Sequence, residues 1–279
     1  MRVAFLGPRG TFSHEAVMAA PQASGWDLVP LPTMRDTIMA VQAGDAERAL
    51  VPIENSLEGS VNATLDTLAT EATDVTMVGE AVQSIRHCLI ARQPLALDAI
   101  HTVVSHPQAT AQCARFLRDR LPAATVALAA STADAVRRAA GDESGLAALG
   151  NRLSATIYGC QVLEEGVEDM VGNQTRFVWL APAGERVDGT GPWKTSVVFW
   201  GAGDDAPGWL VRCLSELAER GVNLTMIESR PRRLALGHYM FFADLHGHTD
   251  DGAVANALRA MGAHTEQLRV LGSYPAAAP

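Results

Sequence analysis

The sequence has few cysteines and few aromatic residues. Its 279 residues include 4 cysteines, and aromatic residues make up 5% of the chain. The cysteines lie far apart, without a C-x-x-C pair, and each lies in an apolar segment: Cys88, Cys113, Cys160 and Cys213. This spacing argues against a zinc site or a disulfide framework. It predicts reduced cysteines in the core.

The sequence also lacks a long apolar run. No segment approaches the roughly 20 apolar residues of a membrane-spanning helix. The first residues, MRVAFLGPRG, reach a glycine and a proline after VAFL, which is too short for the apolar core of a signal peptide. We therefore expect a cytoplasmic protein with no membrane partner.

Positive charge is scarce. With 22 Lys and Arg against 31 Asp and Glu, the net charge is -9, so the phosphate backbone of a nucleic acid would be repelled. The glycines of GPRG form neither a G-x-G-x-x-G fingerprint nor a P-loop, and His246 and His248 are typical of a polar turn before Asp250. We expect no nucleic-acid partner, no nucleotide and no metal.

The composition changes near residue 182. The segment PAGERVDGTGPW, residues 182–193, holds two prolines and three glycines and has little apolar content, which is typical of a linker. A chain of this length with 48% hydrophobic residues can form more than one core. We expect one domain over 1–181, a linker over 182–193 and a second domain over 194–275.

Before the linker, one pattern occurs three times: an apolar strand, a polar loop and a segment with helical periodicity. The strands are VAFL (3–6), ALVPI (49–53) and HTVV (101–104); the first helix is expected to begin near His14, and the third helix has Pro107 in its first turn and continues through Leu117. Strands that alternate with helices predict a mostly parallel sheet, whose ligands bind beyond the carboxyl ends of the strands.

The polar loops after these strands are therefore expected to converge on one cleft. Helix amino ends in such a cleft offer free N–H groups and a positive dipole, which favour a small anion. The loops contribute Thr11, Ser13, Glu54, Asn55, Ser56, Ser105 and Gln108.

The segment GNQTRFVWL, residues 172–180, predicts a buried strand from Phe177 onward, preceded by polar residues. Arg176 can pair with a carboxylate in bidentate geometry, and Thr175 can donate or accept a hydrogen bond. Asn, Gln and Thr are also common in turns, and Arg176 has Glu168 and Asp169 nearby in the sequence. A ligand-binding and a structural interpretation both stand at this point.

Together these segments resemble the prephenate dehydratase family. The matching stretches are GPRGTFSHEA (7–16), VPIENSLEGSV (51–61), SIRHCLIA (84–91), VVSHPQA (103–109) and GNQTRF (172–177). The resemblance spans essentially the whole chain. It implies an α/β fold with a two-lobed catalytic domain like a periplasmic binding protein.

The family converts prephenate to phenylpyruvate, releasing carbon dioxide and water, in phenylalanine biosynthesis. The resemblance implies that no metal or organic cofactor is needed and that Thr175 contacts the departing hydroxyl. Because a threonine hydroxyl is too weak an acid to be a strong proton donor, Thr175 is expected to orient and hydrogen-bond this leaving group. The other implied catalytic residues are Glu54, Asn55, Ser105 and Gln108, and the implied substrate-binding residues are Thr11, Ser13, Ser56, Arg176 and Phe177.

Two questions about these motifs stay open in the sequence. Glu54 can protonate the leaving hydroxyl if it is buried, or it can serve a structural role at a helix cap or loop amide. His87 and His106 also lie in the matching stretches, but a lone histidine beside a core strand is typical of packing. Both histidines are left outside the catalytic set.

The segment after the linker predicts the order β-α-β-β-α-β of a ferredoxin-like fold, with helices over 207–221 and 252–262. It resembles an ACT domain, which implies phenylalanine binding and inhibition at an interface between two such domains, and hence a homodimer or homotetramer. The implied effector residues are Gly208, Leu210, Val211, Asn223, Leu224, Glu228, Ser229 and Arg230.

Trp209 departs from the family pattern, which has a small residue between Pro-Gly and Leu. Its indole can narrow the effector pocket, stack on an aromatic effector, or face solvent or a partner chain.

Three other functions are compatible with parts of the sequence. Arogenate dehydratase and prephenate decarboxylase are the enzymatic alternatives. The intact TRF at 175–177 and the ACT-like segment favour a dehydratase over the decarboxylase, whereas the sequence does not separate prephenate from arogenate as the substrate. A solute-binding or amino-acid-sensing protein is the non-enzymatic alternative, and the lack of a signal peptide argues against its secreted form.

Overall fold

The computed structural model describes residues 1–201 and 206–277. Its strands are β1 Arg2–Leu6, β2 Asp27–Leu31, β3 Arg48–Asn55, β4 Gly59–Ser60, β5 Val75–Ser84, β6 Cys88–Ala91, β7 Thr102–Ser105, β8 Thr125–Leu128, β9 Leu146–Gly150, β10 Gln161–Glu165, β11 Gln174–Pro182, β12 Trp193–Trp200, β13 Leu224–Pro231, β14 Tyr239–His246 and β15 Gln267–Pro275. Its helices are α1 Phe12–Met18, α2 Met34–Gln42, α3 Asn62–Thr70, α4 Pro107–Gln112, α5 Ala114–Arg120, α6 Thr132–Ala139, α7 Arg152–Tyr158, α8 Trp209–Ala218 and α9 Gly252–Gly262.

The chain divides into two compact units. Unit 1 comprises Met1–Thr37, Asn55–Gly59 and Val82–Thr175, and unit 2 comprises Ile38–Glu54, Ser60–Ala81 and Arg176–Pro279. Each unit thus combines segments that are distant in the sequence.

In unit 1, β1 pairs with β2 in parallel, and a five-stranded sheet has the order β10-β6-β9-β7-β8. In that sheet β7 is parallel to β8 and β9, whereas β6 is antiparallel to β9 and β10. Alternate residues of the strands pack on opposite faces, because side chains in a strand alternate in direction. Ile90 packs with α6 on one face, and Leu89 packs with Leu117 of α5 on the other.

In unit 2, β3, β11 and β5 are neighbours in that order, and a four-stranded antiparallel sheet has the order β13-β14-β12-β15. Helices α8 and α9 pack together against this second sheet through a core that includes Phe199, Cys213, Leu245 and Met261. The chain order β12-α8-β13-β14-α9-β15 confirms the predicted ferredoxin-like topology.

Element boundaries differ from the sequence prediction at several places. Helix α8 covers Trp209–Ala218 within the predicted 207–221, and three further differences have a local cause. Helix α1 begins at Phe12, ahead of His14, because the Thr11 hydroxyl caps its first turn. The helix expected to continue through Leu117 is interrupted at Cys113, whose φ of -117 and ψ of 19 separate α4 from α5. Strand β11 begins at Gln174, three residues before the predicted start at Phe177, because residues 174–176 also lie in the sheet.

The four cysteines are free and buried, as the sequence predicts. Burial raises the pKa of each thiol above its usual value, and that of Cys113 rises to about 12. These thiols therefore act as apolar core groups at neutral pH. No helix in the described ranges combines the length and the apolarity that a bilayer crossing requires.

Candidate active site

The loop that follows β1 in unit 1 is fixed by its own hydrogen bonds. The Thr11 hydroxyl donates to the Leu6 carbonyl at 2.8 Å and accepts from the His14 backbone N–H at 3.2 Å. Ser13 is buried in α1. Gly10 has a φ of 92, and a Cβ there would lie 3.1 Å from the Ser154 Cβ, so glycine permits the close approach to α7. The Thr11 hydroxyl thus serves as a helix cap.

A cluster of amide and hydroxyl side chains surrounds Thr175 in unit 1. Asn55 Oδ1 accepts from the backbone N–H groups of Leu57 and Glu58, each at 3.0 Å. These two donors determine the orientation of the Asn55 amide, because only its oxygen can accept. Asn55 Nδ2 therefore donates to Thr175 Oγ1 at 2.9 Å and to Asn173 Oδ1 at 2.8 Å.

The hydrogen bond from Asn55 determines what the Thr175 hydroxyl can do. Thr175 Oγ1 uses a lone pair to accept from Asn55, so its own proton remains available to a second partner. The side chain is buried, with 8% of its surface exposed. The Thr175 hydroxyl can thus donate a hydrogen bond to a second group.

Gln112 and Ser56 complete the polar cluster. Asn173 Nδ2 donates to Gln112 Oε1 at 3.3 Å, and Gln112 Nε2 donates to Glu58 Oε1 at 3.3 Å. The Ser56 hydroxyl accepts from the Gln174 backbone N–H at 3.0 Å. We define the polar cluster as Asn55, Ser56, Gln112, Asn173 and Thr175.

The structure brings together Asn55, Ser56 and Thr175 from the residues that the sequence selected. Ser105 is fully buried and donates to the Leu149 carbonyl at 3.0 Å, which ties β7 to β9. Gln108 is exposed in the first turn of α4, and its backbone N–H donates to His106 Nδ1. Within the described part of the chain, the polar cluster receives Gln112, one turn later on the same helix.

Sequence reasoning missed Gln112 and Asn173 as site residues. Asn173 lies within GNQTRF, but the family resemblance implies roles only for Thr175, Arg176 and Phe177 of that stretch. Gln112 lies four residues after Gln108, the spacing of one helical turn, and this i to i+4 relation was the available signal. The sequence did not indicate which of the two glutamines faces the cluster.

Arg176 directly follows Thr175 in the sequence and is the first residue of the last segment of unit 2. It forms a buried ion-pair network there. Its guanidinium contacts Glu54 at 3.0 Å, Glu80 at 3.3 Å and Asp244 at 2.8 Å, and its side chain is only 10% exposed. The Asp244 contact is an ion pair without the alignment of a hydrogen bond. Lys194 Nζ contacts both oxygens of Glu80 at 2.8 Å.

The carboxylates of this network stabilise the charged form of Arg176. Burial alone would lower the pKa of Arg176, but the carboxylates of Asp244, Glu80 and Glu54 more than offset that effect, so the pKa is raised above its ordinary value. Asp244 also accepts from the Ser196 hydroxyl at 2.5 Å. Arg176, expected to pair with a substrate carboxylate, has three carboxylate partners of its own chain in this structure.

Glu54 directly precedes Asn55 in the sequence, and Phe177 lies two residues after Thr175. The Glu54 side chain is 41% exposed and accepts from Arg176 Nε, so it lies in the ion-pair network and not in an apolar pocket. This favours the structural role over the proton-donor role that the sequence left open. Phe177 is 1% exposed and belongs to the core of β11.

The expected effector residues lie at three places in the ACT-like part of unit 2: the start of α8, the cavity before β13, and β13 itself. Gly208 has a φ of 80 as the cap of α8, followed by the half-buried Leu210 and by Val211, which is 66% exposed. Asn223 and Leu224 line a cavity of about 390 Å³ between the end of α8 and the start of β13.

The remaining expected effector residues, Glu228, Ser229 and Arg230, lie on β13. Glu228 accepts from the Ser60 hydroxyl at 3.2 Å, and Ser229 is exposed. Arg230 pairs with Asp66 of α3 through two hydrogen bonds of 3.0 Å. Arg230 therefore pairs with a carboxylate distant in the sequence and not with Glu228.

Trp209 is buried in the core of the ACT-like sheet. It is 4% exposed, its indole N–H donates to the His264 carbonyl at 2.6 Å, and its ring packs against Phe199 and Phe241. This position overturns the solvent-facing alternative for Trp209. The indole fills space between α8 and the sheet, where a smaller residue would leave a cavity.

The fold and the site define a mixed α/β protein that combines a hydrogen-bonding cluster around one buried hydroxyl with a C-terminal βαββαβ domain. The prephenate dehydratase family model matches residues 3–185, and the ACT domain model matches residues 197–263. The chain belongs to the prephenate dehydratase family.

Individual relatives resemble nearly the whole chain. A prephenate dehydratase of Mycolicibacterium gilvum is 39% identical over 98% of this chain and 90% of its own length. The crystal structure of the Arthrobacter aurescens prephenate dehydratase in complex with L-Phe has a TM-score of 0.90 and 38% identity, covering 99% of this chain and 90% of that one. A structure described as a novel type of quorum-quenching acylase, GqqA, has a TM-score of 0.87 and 31% identity, covering 99% and 98% of the two chains.

These similarities confirm the predicted fold class. The chain has the α/β sheets of a two-lobed, periplasmic-binding-protein-like catalytic part and a C-terminal ACT domain.

Proposed function

We propose that the protein converts prephenate to phenylpyruvate and that Thr175 donates a hydrogen bond to the departing ring hydroxyl. The observation that carries this assignment is the hydrogen bond of 2.9 Å from Asn55 Nδ2 to Thr175 Oγ1. Because Thr175 accepts from Asn55, its proton is free for the substrate. Family membership supplies the identity of that substrate.

The reaction is balanced without an oxidant or reductant. The bond between the ring and its carboxylate breaks, and its electron pair becomes a ring π bond as the bond to the hydroxyl oxygen breaks. The carboxylate leaves as carbon dioxide, and the hydroxyl leaves as water with one proton taken from solvent. Aromatisation drives the step, so the protein's task is to position the ring and stabilise the charge on the departing oxygen.

The roles within the polar cluster follow from its geometry. Asn55 orients Thr175, and Asn173 and Gln112 present further amide groups to a polar ligand. Ser105 supports β9 through the Leu149 carbonyl and thus acts on the site through the backbone. Thr11 and Ser13 keep the α1 loop in place, and Glu54, Arg176 and Phe177 hold β11, which carries Thr175.

Regulation by phenylalanine is the second part of the proposal. Its support is the ACT domain match and the Arthrobacter aurescens relative, which was crystallised with L-Phe. The effector residues proposed for this chain are Gly208, Leu210, Val211, Asn223, Leu224, Glu228, Ser229 and Arg230. The cavity beside Asn223 and Leu224 gives an amino acid side chain a place to bind.

The domain boundaries and the assembly are also proposed. Residues 1–181 form the catalytic domain, 182–193 the linker and 194–275 the ACT domain, in a cytoplasmic homodimer or homotetramer. The exposed apolar side chains of Val211 and Ile227, 66% and 42% exposed, support a contact between ACT domains. Light scattering during size-exclusion chromatography tests this, and a monomer at micromolar concentration would contradict it.

The test of function is to incubate the purified protein with prephenate, with and without phenylalanine, and to measure phenylpyruvate by its absorbance in alkali. We expect phenylpyruvate to form, and phenylalanine to lower the rate. Arogenate under the same conditions tests the amino analogue of the substrate.

Each alternative gives a different result in that assay. A decarboxylase releases carbon dioxide but gives a product that is not aromatic, and a sensor leaves prephenate unchanged. An arogenate dehydratase forms phenylalanine from arogenate and little product from prephenate. Hydrolysis of an acyl substrate, with prephenate left intact, would place the chain with the acylase relative.

A further inference from the structure

His87 is buried in unit 1, beside the polar cluster, and has no part in the chemistry described above. The residue is 2% exposed, and its Nε2 lies 3.0 Å from Gln112 Oε1. The Phe12 ring meets the imidazole edge-on, with the ring centroids 5.4 Å apart. The His87 backbone N–H donates to Glu168 Oε2 at 2.9 Å. The ring is thus held in one orientation.

The protonation of this ring follows from the hydrogen bonds of the polar cluster. The backbone donors to Asn55 make its Nδ2 the group that faces Asn173 Oδ1, so Asn173 presents its own Nδ2 to Gln112. Gln112 Oε1 is therefore an acceptor. Its partner His87 Nε2 must be a donor, and the neutral ring carries its proton on Nε2.

The other ring nitrogen, Nδ1, is buried and has no hydrogen-bond partner among the described residues. A proton added at Nδ1 would place a charge on a buried ring, with no acceptor for the new N–H among the described residues. Burial accordingly lowers the pKa of His87, against smaller raising effects of Gln112 and Glu168. The ring remains neutral under ordinary conditions, as a one-directional donor to Gln112.

We propose that His87 is a positioning residue for the reaction. Its Nε2–H donates to the side-chain carbonyl of Gln112 and fixes that amide, and Gln112 in turn accepts from Asn173. Asn173 and Thr175 both accept from the same Asn55 amide, so the position of Asn173 affects the group that orients Thr175. This inference rests on the proposed function, because it assigns a role within the same site. Gln112 Oε1 accepts from both His87 and Asn173, so the loss of one donor frees the amide to rotate. A rotated Gln112 would turn its N–H groups towards Asn173. This would disturb the hydrogen bonds that connect Gln112 through Asn173 and Asn55 to Thr175.

A pair of variants separates this role from packing. In His87→Gln, the amide nitrogen lies about where Nε2 does, so the donor to Gln112 is kept. In His87→Asn, the shorter side chain places its amide near Nδ1, and Gln112 loses the donor. We expect His87→Asn to lower kcat about 10-fold to 10²-fold, with KM changed less than about threefold, as for a displaced catalytic group. His87→Gln should keep kcat within about fivefold of the wild-type value.

Thermal unfolding of both variants shows whether packing explains the result. Equal losses of kcat in the two variants, in step with their losses of Tm, would mean that His87 only fills space. Wild-type kcat in His87→Asn would also overturn the inference. In either case a wild-type enzyme that makes phenylpyruvate leaves the proposed function standing, whereas an inactive wild type contradicts the proposed function itself.

A measurement on the wild-type protein covers the case in which His87→Asn does not fold. In a sample labelled with ¹⁵N at histidine, the ring nitrogen shifts distinguish the two neutral tautomers and the charged form. We expect the His87 signal, assigned by its absence in His87→Gln, to show a neutral ring with the proton on Nε2. A proton on Nδ1 would remove the donor to Gln112 and overturn the inference.

Discussion

Thr175 and its neighbours show how much chemistry a few hydrogen bonds can specify. The backbone N–H groups of Leu57 and Glu58 orient the Asn55 amide, and Asn55 in turn occupies a lone pair of Thr175. A hydroxyl that already accepts is a better donor, because hydrogen bonds in a chain polarise one another. A weakly acidic threonine can thereby assist a leaving hydroxide without transferring its own proton.

Substituting Thr175 tests this arrangement. We expect Thr175→Ala to lower kcat by about 10²-fold while KM changes much less, since the hydrogen bond strengthens as charge develops on the leaving oxygen. Thr175→Ser keeps the hydroxyl and should retain most of the activity. Steady-state kinetics with prephenate measures both variants. A loss confined to KM would show that Thr175 only binds the substrate.

The two glutamines of α4 provide a matched comparison at the same scale. Gln112 bonds to Asn173 and Glu58, whereas Gln108 is exposed one turn earlier. We expect Gln112→Leu to lower kcat/KM about 10-fold or more, because it removes amide groups from the polar cluster. Gln108→Leu should change kcat/KM by less than about threefold. The opposite ranking would return Gln108 to the catalytic set.

At the scale of elements, the ion-pair network ties β11 to the ACT sheet within unit 2. Arg176 on β11 contacts Asp244 on β14, and Glu80 on β5 contacts Lys194 on β12. Ser196 and Tyr274 extend the network along the ACT sheet, with Tyr274 OH 2.7 Å from Ser196 Oγ. Since Ser196 donates to Asp244, Tyr274 must donate to Ser196. The strand that carries Thr175 is therefore anchored to the regulatory domain through a chain of charges and hydroxyls.

Removing one charge from this network should destabilise the protein. We expect Asp244→Asn to lower the free energy of unfolding by about 3 kcal/mol, because Arg176 then keeps a buried charge with one partner fewer. Asp119→Asn breaks an exposed ion pair with Arg118 and should change the free energy of unfolding by no more than about 0.5 kcal/mol. Urea unfolding measures both. Similar small effects in the two variants would mean that the network contributes little to stability.

At the scale of the whole molecule, unit 2 combines the ACT segment with parts of the catalytic segment. Unit 2 contains Ile38–Glu54 and Ser60–Ala81 together with Arg176–Pro279. A chain cut near residue 182 would leave Arg176 without Asp244 and would leave Glu80 without Lys194. Truncation therefore combines loss of regulation with loss of stability, and point substitutions are the better test.

Asn223 offers such a substitution. It lines the cavity beside α8 and is exposed in this structure. We expect Asn223→Ala to raise the phenylalanine concentration needed for half-maximal inhibition about 10-fold or more, with the rate in the absence of phenylalanine unchanged. Asn256→Ala, on the exposed side of α9, should leave the response as it is. Initial rates across a phenylalanine titration measure both, and an unaltered response in Asn223→Ala would remove that residue from the effector site.

Much of the fold could be predicted from the sequence, because the patterns that define it are local. A short continuous apolar run marks strands such as β12, and residues at helical spacing mark α8 and α9. The βαββαβ order follows from those elements, and the longer motifs indicated the family. The sequence also predicts that Asn55 and Thr175 share one cleft, since both lie in polar stretches at the ends of apolar strands, and the structure joins them by a hydrogen bond.

The remaining features depend on contacts between residues distant in the sequence, which no local pattern specifies. Gln112 joins the cluster because α4 turns that face towards Asn173, 61 positions away. Arg176 pairs with Glu80 and Asp244 instead of the nearby Glu168 and Asp169, because Glu80 lies on β5, the neighbour of β11 in its sheet, and β14 of the ACT sheet places Asp244 against the same guanidinium. Trp209 is buried because α8 packs its indole against Phe199 and Phe241. The sequence by itself determined the elements, the family and the hydroxyl at the centre of the site; the tertiary structure decided which polar groups orient that hydroxyl, because a hydrogen bond depends on distance and direction between atoms that only folding brings together.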